Sequence, residues 1–476
     1  MTDETRGGVR ADVEIVGSRS GRGSMPVFSG AISGEEANHV YRPIQYLGSK
    51  LRALDELKAQ VSALVPPGSH VLDIFSGSTV VAQAFARLGL RVTATDVMTY
   101  SMTFGKSLLG VGKPRDEGHP DHLAEIIFAQ RPIDNLQDVF ISWLDQERAA
   151  LSDRNSDVLF SIANRLPQIW RPKGASVDLA RVFESLTKRK DRSALDIGGI
   201  ISTHYAGTYF GLHQAITIDS LRLSIEHLYE TRQISEWHYH SALTALLSTL
   251  SASAYTPGKH FAQYHRITKN KDLSFHRSRI LTDRRIDIRS EFIKSLQQIY
   301  SASKNVGNGH HAYSLTLEDI FTDSRSLESV DLIYADPPYT AQQYSRFYHI
   351  PEILVTYRVP QLQSFRGGHT AGLYPHNKFK SRFSSRAHAG LAFEDLLVLS
   401  KRLNAHLIIS YSDTESGKTG NKRMISLDAL YALCKQHSSD VEIVTLPHRY
   451  RQFNATVASV DGRADSEYII LVKRPC

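Results

Sequence analysis

Cysteine is nearly absent from this chain. Two occur in 476 residues, Cys434 and Cys476, with no CxxC and no Cys/His spacing. That excludes a disulfide framework and a thiolate zinc site, and it makes a reducing compartment the expectation. No apolar run approaches the length of a bilayer span, and the first residues carry no signal-peptide core, so a cytoplasmic protein with no membrane partner is expected. There is no internal repeat and no GxGxxG. Acidic residues are missing altogether between Glu352 and Glu394. What remains is ordinary for a globular protein of two or three domains, with 41% hydrophobic and 22% charged residues. The net charge of +7 and a pI near 9.1 lean towards a polyanionic partner without deciding for one.

The most informative stretch is Asp331-Leu332-Ile333-Tyr334-Ala335-Asp336-Pro337-Pro338-Tyr339. Leu332 to Ala335 is short and apolar enough for a buried strand of a parallel sheet. Two prolines then end it, because neither donates to a ladder and each restricts the residue before it. A carboxylate, stiff carbonyls and one flat ring are thereby held at the carboxyl end of a strand, where open α/β sheets bind ligands. The chemistry this suits is methylation of an exocyclic amine. Such an amine is a poor nucleophile because its lone pair is conjugated with the ring. Asp336 and the carbonyl before Pro338 would accept its hydrogens and favour a pyramidal nitrogen, and Tyr339 would stack on a base that has left the duplex.

Earlier in the chain, Tyr46-Leu47-Gly48-Ser49-Lys50 precedes Leu51, Leu54, Leu57 and Val61 at helical spacing. A Gly-Ser turn opening a helix, with a lysine beside it, would hold a carboxylate. Val71 to Phe75 reads as a strand, Ser76-Gly77-Ser78 as a tight turn, Thr79 to Leu88 as a helix, and Arg91 to Thr95 as a second strand ending at Asp96. The second acid falls about 20 residues after the turn, where a nucleotide fold places a carboxylate on ribose hydroxyls. With one glycine in the turn, a single nucleoside with a small charged tail fits better than a dinucleotide. Asp73, Phe75, Ser76, Gly77 and Asp96 are the candidate residues.

From about 110 to 310 the pattern becomes helical, most clearly over Leu212–Leu228 and Ser235–Leu250. Ala312 to Leu317 reads as a strand ending in Glu318-Asp319, an acid placed to accept an adenosyl amine. The paired His310 and His311 have no third ligand at a recognisable spacing, so no metal is expected. A helix carrying Tyr344, Phe347, Tyr348, Ile350, Ile353, Leu354 and Tyr357 follows Tyr339, with Gln342, Gln343, Tyr344 and Arg346 nearest the crevice. Phe393–Leu403 and Ile425–Cys434 read as helices, His406–Ser412 as a strand, and Val441–Leu446 with Tyr468–Lys473 as an edge hairpin.

Two basic stretches point to nucleic acid. Lys259 to Lys294 carries ten Lys or Arg, among them Lys259, Arg266, Lys269, Lys271, Arg277 and Arg279, against four acids. Phe261, Tyr264, Phe275 and Phe292 are interleaved, and cations for phosphates with rings for bases are the ingredients of such a surface. The acid-free interval carries Arg358, Arg366, Lys378, Lys380, Arg382 and Arg386 and reads as a loop closing over a phosphate backbone. Residues 1–40, rich in Gly, Ser and Arg, read as a disordered tail, a plain leader in preference to a phosphate contact through Gly21-Arg22-Gly23-Ser24.

The order aromatic-Leu-Gly-Ser-Lys, Asp-Ile-Phe-Ser-Gly-Ser, Asp96, an insertion, then Asp-Pro-Pro-Tyr resembles the Dam-like class of DNA N6-adenine methyltransferases. The resemblance covers roughly 41–105 and 312–476. It departs from the family at Tyr46, where Trp is frequent, and at Thr79, near a second glycine. It implies a Rossmann-like class I methyltransferase sheet, mostly parallel with an antiparallel edge hairpin, from residues 41–110 and 311–476. A large, mainly helical target-recognition domain, 111–310, would be inserted in it. It further implies S-adenosyl-L-methionine as cofactor. Tyr46 and Lys50 would hold its methionine part, Asp73, Phe75 and Gly77 its loop, Asp96 its ribose and Asp319 its adenine. Asp336, Pro337, Pro338 and Tyr339 would receive the flipped base. Double-stranded DNA is the implied partner, with a cognate restriction or phage-defence component beside it. Adenine in RNA, the exocyclic amine of cytosine in DNA, and a non-catalytic DNA-binding relative are the alternatives.

Overall fold

A computed structural model describes residues 40–130, 134–188, 193–195, 198–266, 273–322, 329–365, 367–413, 422–451 and 464–474. The predicted tail (Val40 apart), Lys269, Lys271, Arg366 and Cys476 lie outside them.

Seven strands form the central sheet: β1 (His70–Ile74), β2 (Arg91–Asp96), β3 (His311–Ser314), β4 (Leu332–Ala335), β5 (His406–Asp413), β6 (Val441–Arg451) and β7 (Ala464–Val472). Their spatial order is 3-2-1-4-5-7-6. The first five are parallel, and β7 runs antiparallel between β5 and β6, so the expected edge hairpin is present. Every residue of β1 and β4 is buried, as strands covered on both faces require. Leu72, Ile333, Leu407 and Ile470 pack on one face against the helices Ala389–Leu403 and Leu427–His437. Val71, Leu332, Ile408 and Leu471 pack on the other against Leu54–Leu64 and Val80–Arg87. The chain order reverses between β1 and β4, so the loops after these two strands diverge and open a crevice at their carboxyl ends.

Helices fill most of the stretch between β2 and β3. They reach the sheet through the helix Thr99–Leu108, where Gly105 is required: a Cβ there would lie 2.6 Å from that of Ala312 on β3. The same helix receives Trp237 Nε1, which donates to the Ser107 carbonyl at 3.0 Å, and Thr244, whose hydroxyl donates to the Thr103 carbonyl at 3.4 Å.

Two elements depart from the sequence expectation. The aromatic helix after Tyr339 is two short ones, Tyr344–Phe347 and His349–Thr356, broken at Tyr348. Pro351 lacks an N–H and is tolerated only in a first helical turn, so the helix restarts just before it. The strand expected over 312–317 ends at Ser314, because Thr316 and Asp319 form a reciprocal cap. The Thr316 N–H donates to Asp319 Oδ2 at 2.9 Å and the Asp319 N–H to Thr316 Oγ1 at 3.1 Å, starting the helix Leu317–Thr322.

The restarted helix ties the helical block to the crevice side. Asp219, fully buried on the helix Leu212–Glu230, accepts the N–H groups of Ile201 and Ser202 and the hydroxyls of Ser202 and Tyr357. Arg222, one turn on, donates to the carbonyls of Leu354 and Val355 at 2.8 and 3.0 Å. Asp219→Ala strands several buried donors and is expected to lower unfolding stability by roughly 2–5 kcal/mol. Arg181→Ala, which removes an exposed pair with Asp178, is expected to change it by under about 0.5 kcal/mol. Urea denaturation of the two variants checks both values.

Candidate active site

The crevice holds a cavity of about 290 Å³ whose walls include Tyr46, Phe75, Asp96, Met98, Asp336 and Pro338. All but Tyr46, which lies ahead of the first helix, come from a strand end or the turn after it.

After β1 the chain turns sharply, with Phe75 at φ 66° and Gly77 at φ 52°. Tyr46 lies against Gly77 so closely that a Cβ there would sit 2.7 Å from its ring. Thr79, near where the family has a second glycine, adopts the left-handed conformation itself, at φ 60°, to cap the helix Val80–Arg87. Holding Phe75 and Thr79 there stores roughly 1–3 kcal/mol of strain apiece, a feature common at functional sites. The Tyr46 ring also stacks on Tyr348 at 4.7 Å and 8°, and on Tyr344 at 5.6 Å. Ser76 bonds to Ser101 through their hydroxyls at 3.2 Å.

Asp96 ends β2 and accepts the Gly77 N–H at 3.1 Å on one oxygen and the Met98 N–H at 2.9 Å on the other. Burial still pushes its carboxyl up to about 6, against those two bonds. Asp73, inside β1, is 1% exposed with neither carboxylate oxygen hydrogen-bonded to a described side chain. Burial first, then the nearby Asp336 and Asp96, push it well above the carboxylate range.

Asp336 opens into the cavity at the end of β4, with its Oδ1 3.1 Å from Lys50 Nζ. Burial pushes its carboxyl up to about 6, with Lys50 pulling the other way. Lys50 is buried under the cavity and stays firmly protonated because Asp336, Tyr339 and Glu467 outweigh its burial. It meets the β4 carboxylate instead of lining the cavity wall. Pro337 is buried behind Asp336, and Pro338 lines the cavity.

Two candidates stand elsewhere than expected. Asp319 is exposed and its carboxylate is spent on the Thr316 cap, so Leu317 and Glu318 line the cavity in its place. The signal was in the sequence, since Thr-x-x-acid is a helix-start pattern. Tyr339 is 7% exposed and set edge-on to Tyr411, with the Arg423 guanidinium 4.8 Å over its ring. Arg423 is itself held by the Ser412 carbonyl and hydroxyl at 2.6 and 2.8 Å. The aromatic walls are instead Tyr46, Phe75, Tyr344, Phe379 and Phe383.

The basic residues divide. Gln343, Tyr344, Lys380 and Arg382 line the cavity, and Arg386 is exposed nearby in sequence. Gln343 accepts the Ser381 N–H at 2.9 Å, which folds the acid-free loop in as a wall. Arg382 is bound by Glu318 and Asp395 at 2.9 and 2.7 Å. Arg346 and Lys378 lie over the ring of Tyr374 at 5.1 and 5.9 Å. In the other stretch, Lys259 and Arg279 both bind the buried Asp283, at 2.9 and 2.8 Å. Burial pulls Lys259 down to about 8. Arg277 pairs with Asp157 at 3.0 Å and Arg266 lies over Tyr264 at 5.3 Å. Phe261 and Phe292 are fully buried core, while Phe275 is half exposed. His310, of the histidine pair, accepts the Val92 N–H at 3.1 Å and so braces β2.

The strand order, the glycine turn after β1 and the acid-proline corner after β4 are those of a Rossmann-like sheet with a helical block. Comparison with known proteins agrees. Residues 46–167 match the profile of the D12 class of N6 adenine-specific DNA methyltransferases. The chain is 26% identical over 435 residues to the modification methylase LlaI of Lactococcus lactis subsp. lactis, covering 90% of this chain and 55% of that protein. It is 21% identical over 374 residues to the type II methyltransferase M.FokI of Planomicrobium okeanokoites, covering 78% and 44%. With the modification methylase StsI of Streptococcus sanguinis the figures are 21% over 417 residues, 86% and 49%. The chain thus spans about half the length of these relatives. The motif resemblance is borne out, and Asp336 to Tyr339 lie outside the matched 46–167.

Gly77→Ala would both strain the turn and strike the Tyr46 ring. It is expected to cost roughly 2–5 kcal/mol of stability, against under about 0.5 kcal/mol for an ordinary exposed substitution. Thermal unfolding measures the difference.

Proposed function

We propose that this chain is a DNA adenine methyltransferase. It transfers the methyl group of S-adenosyl-L-methionine to the exocyclic N6 amine of an adenine flipped out of duplex DNA. The carrying observation is the Asp336 carboxylate at the end of β4, opening into a cavity that also contains Asp96 and Tyr46.

The residues present suit the cofactor. The buried, unsatisfied oxygens of Asp73 suit an ammonium group. Asp96 retains lone pairs for ribose hydroxyls beyond its two backbone bonds. Gly77 lets the chain pass close under the Tyr46 ring. When bound, S-adenosylmethionine supplies an electrophilic methyl group; the protein's own work is positioning and electrostatics. Asp336 accepts a hydrogen of the amine and the Pro337 carbonyl is the second acceptor, which localises the lone pair on nitrogen. Tyr344 and Phe379 border the space for the base. Residues 111–310 are proposed as the target-recognition domain inserted in the methyltransferase domain. The names of the relatives support a cognate restriction partner.

Asp336→Ala is expected to lower adenine methylation of plasmid DNA by roughly 10²–10³-fold while leaving S-adenosylmethionine binding nearly unchanged. Single-molecule sequencing and calorimetry read the two effects, and comparable turnover by the variant would falsify this role. Arg382 is bound to two carboxylates, so the phosphate contacts of the loop fall to Lys380 and Arg386. Replacing both with Ala should make the slope of log K against log salt shallower by about two for duplex DNA. An unchanged slope would remove the loop from the DNA contacts.

A further inference from the structure

One charged group beneath the cavity belongs to no sequence motif. Glu467 lies on β7, the antiparallel strand, at 4% exposure, with its Oε1 3.5 Å from Lys50 Nζ. The same nitrogen is 3.1 Å from Asp336 Oδ1, and the Lys50 side chain is 3% exposed. Sheet register brings these groups together: Glu467 pairs with Ser412 on β5, and β5 lies beside β4, which ends just before Asp336.

We propose that Glu467 is a positioning residue of the methyl-transfer reaction: by sharing Lys50 with Asp336 it fixes the Asp336 carboxylate and leaves it able to accept a hydrogen from the substrate amine. The proposal rests on the reading under Proposed function.

The physical argument begins with the lysine. A buried ammonium facing one buried carboxylate would bind it as tightly as the low dielectric allows, and an oxygen held that way is a weakened acceptor. A second carboxylate at comparable distance divides that charge. It also fixes the ammonium from two directions, so the Asp336 oxygens are held without being saturated. The side chain of Asp336 is 22% exposed, towards the cavity, whereas Lys50 and Glu467 are closed off, so the substrate amine reaches Asp336 alone of the three. The titration of Asp336 carries the same signs: burial raises it, Lys50 lowers it and Glu467 raises it. Asp73 and Tyr334 are the other titratable groups facing Asp336; Tyr339 faces Lys50, and the Arg423 guanidinium lies over the Tyr339 ring, 4.8 Å from its centre.

The test follows the Asp336 carboxyl directly, by NMR of the full chain with carboxyl-labelled aspartate, using Asp336→Asn to assign the signal. In Glu467→Gln a negative neighbour is removed, so Asp336 ionises more easily and its midpoint should fall by about one pH unit. In Lys50→Met the cation is removed and the midpoint should rise by at least as much. The acid limb of kcat/KM should move with the same signs, and Glu467→Asp should restore the wild-type midpoint in part. A purely structural glutamate would change stability without producing opposite shifts. An unmoved Asp336 midpoint in folded Glu467→Gln overturns the proposal. Opposite shifts in the two variants, alongside a wild-type chain that methylates no adenine, uphold the charge sharing and overturn the reaction assigned to it.

Discussion

A single buried ammonium organises the site. Lys50 sits at the start of the described chain, Asp336 at the end of a central strand and Glu467 on the last one, and the lysine meets both carboxylates beneath the cavity. Asp73 lies near Asp336 and Asp96 in turn, so the site crowds several acids while the lysine meets two of them. Gathering like charges in a dry place raises the energy of the folded chain, and without Lys50 the carboxyl groups would be driven towards their neutral forms. The position of the β4 carboxylate, on which the proposed chemistry turns, therefore depends on a contact between segments hundreds of residues apart.

A second dependence runs through tyrosines. Tyr46 lies between the glycine turn and Tyr348, and the segment carrying Tyr344 and Tyr348 continues to Tyr357, whose hydroxyl bonds to Asp219 in the helical block. One continuous packed path thus links the cavity wall to the helices proposed to recognise the target. The left-handed backbones of Phe75 and Thr79 persist only where the surroundings determine them, and here Phe75 is set edge-on to Phe383 at 5.1 Å while Thr79 is fully buried.

The basic residues show how much composition conceals. Lys259 and Arg279 neutralise one buried acid, and Arg382 joins Glu318 to Asp395 at the cavity rim. A positive stretch in sequence becomes partly a set of structural pins once its partners are known. The acid-free loop keeps its interest for a different reason: through Gln343, Ser381, Phe379 and Phe383 it builds one side of the cavity.

The local features were legible in the sequence. Short apolar runs ended by a glycine turn, an acid or Pro-Pro marked β1, β2 and β4 within a residue or two, and their order placed Asp96 and Asp336 at strand ends. These are consequences of backbone chemistry within a few residues, which sequence carries completely. The Thr316–Asp319 cap was equally local and could have been read. Tertiary structure alone decided that Tyr339 lies under Arg423, that Lys50 faces Asp336 rather than the cavity, and that Glu467 joins them. Charges and rings act through space, and which ones meet is fixed by sheet register and helix packing, not by their spacing along the chain.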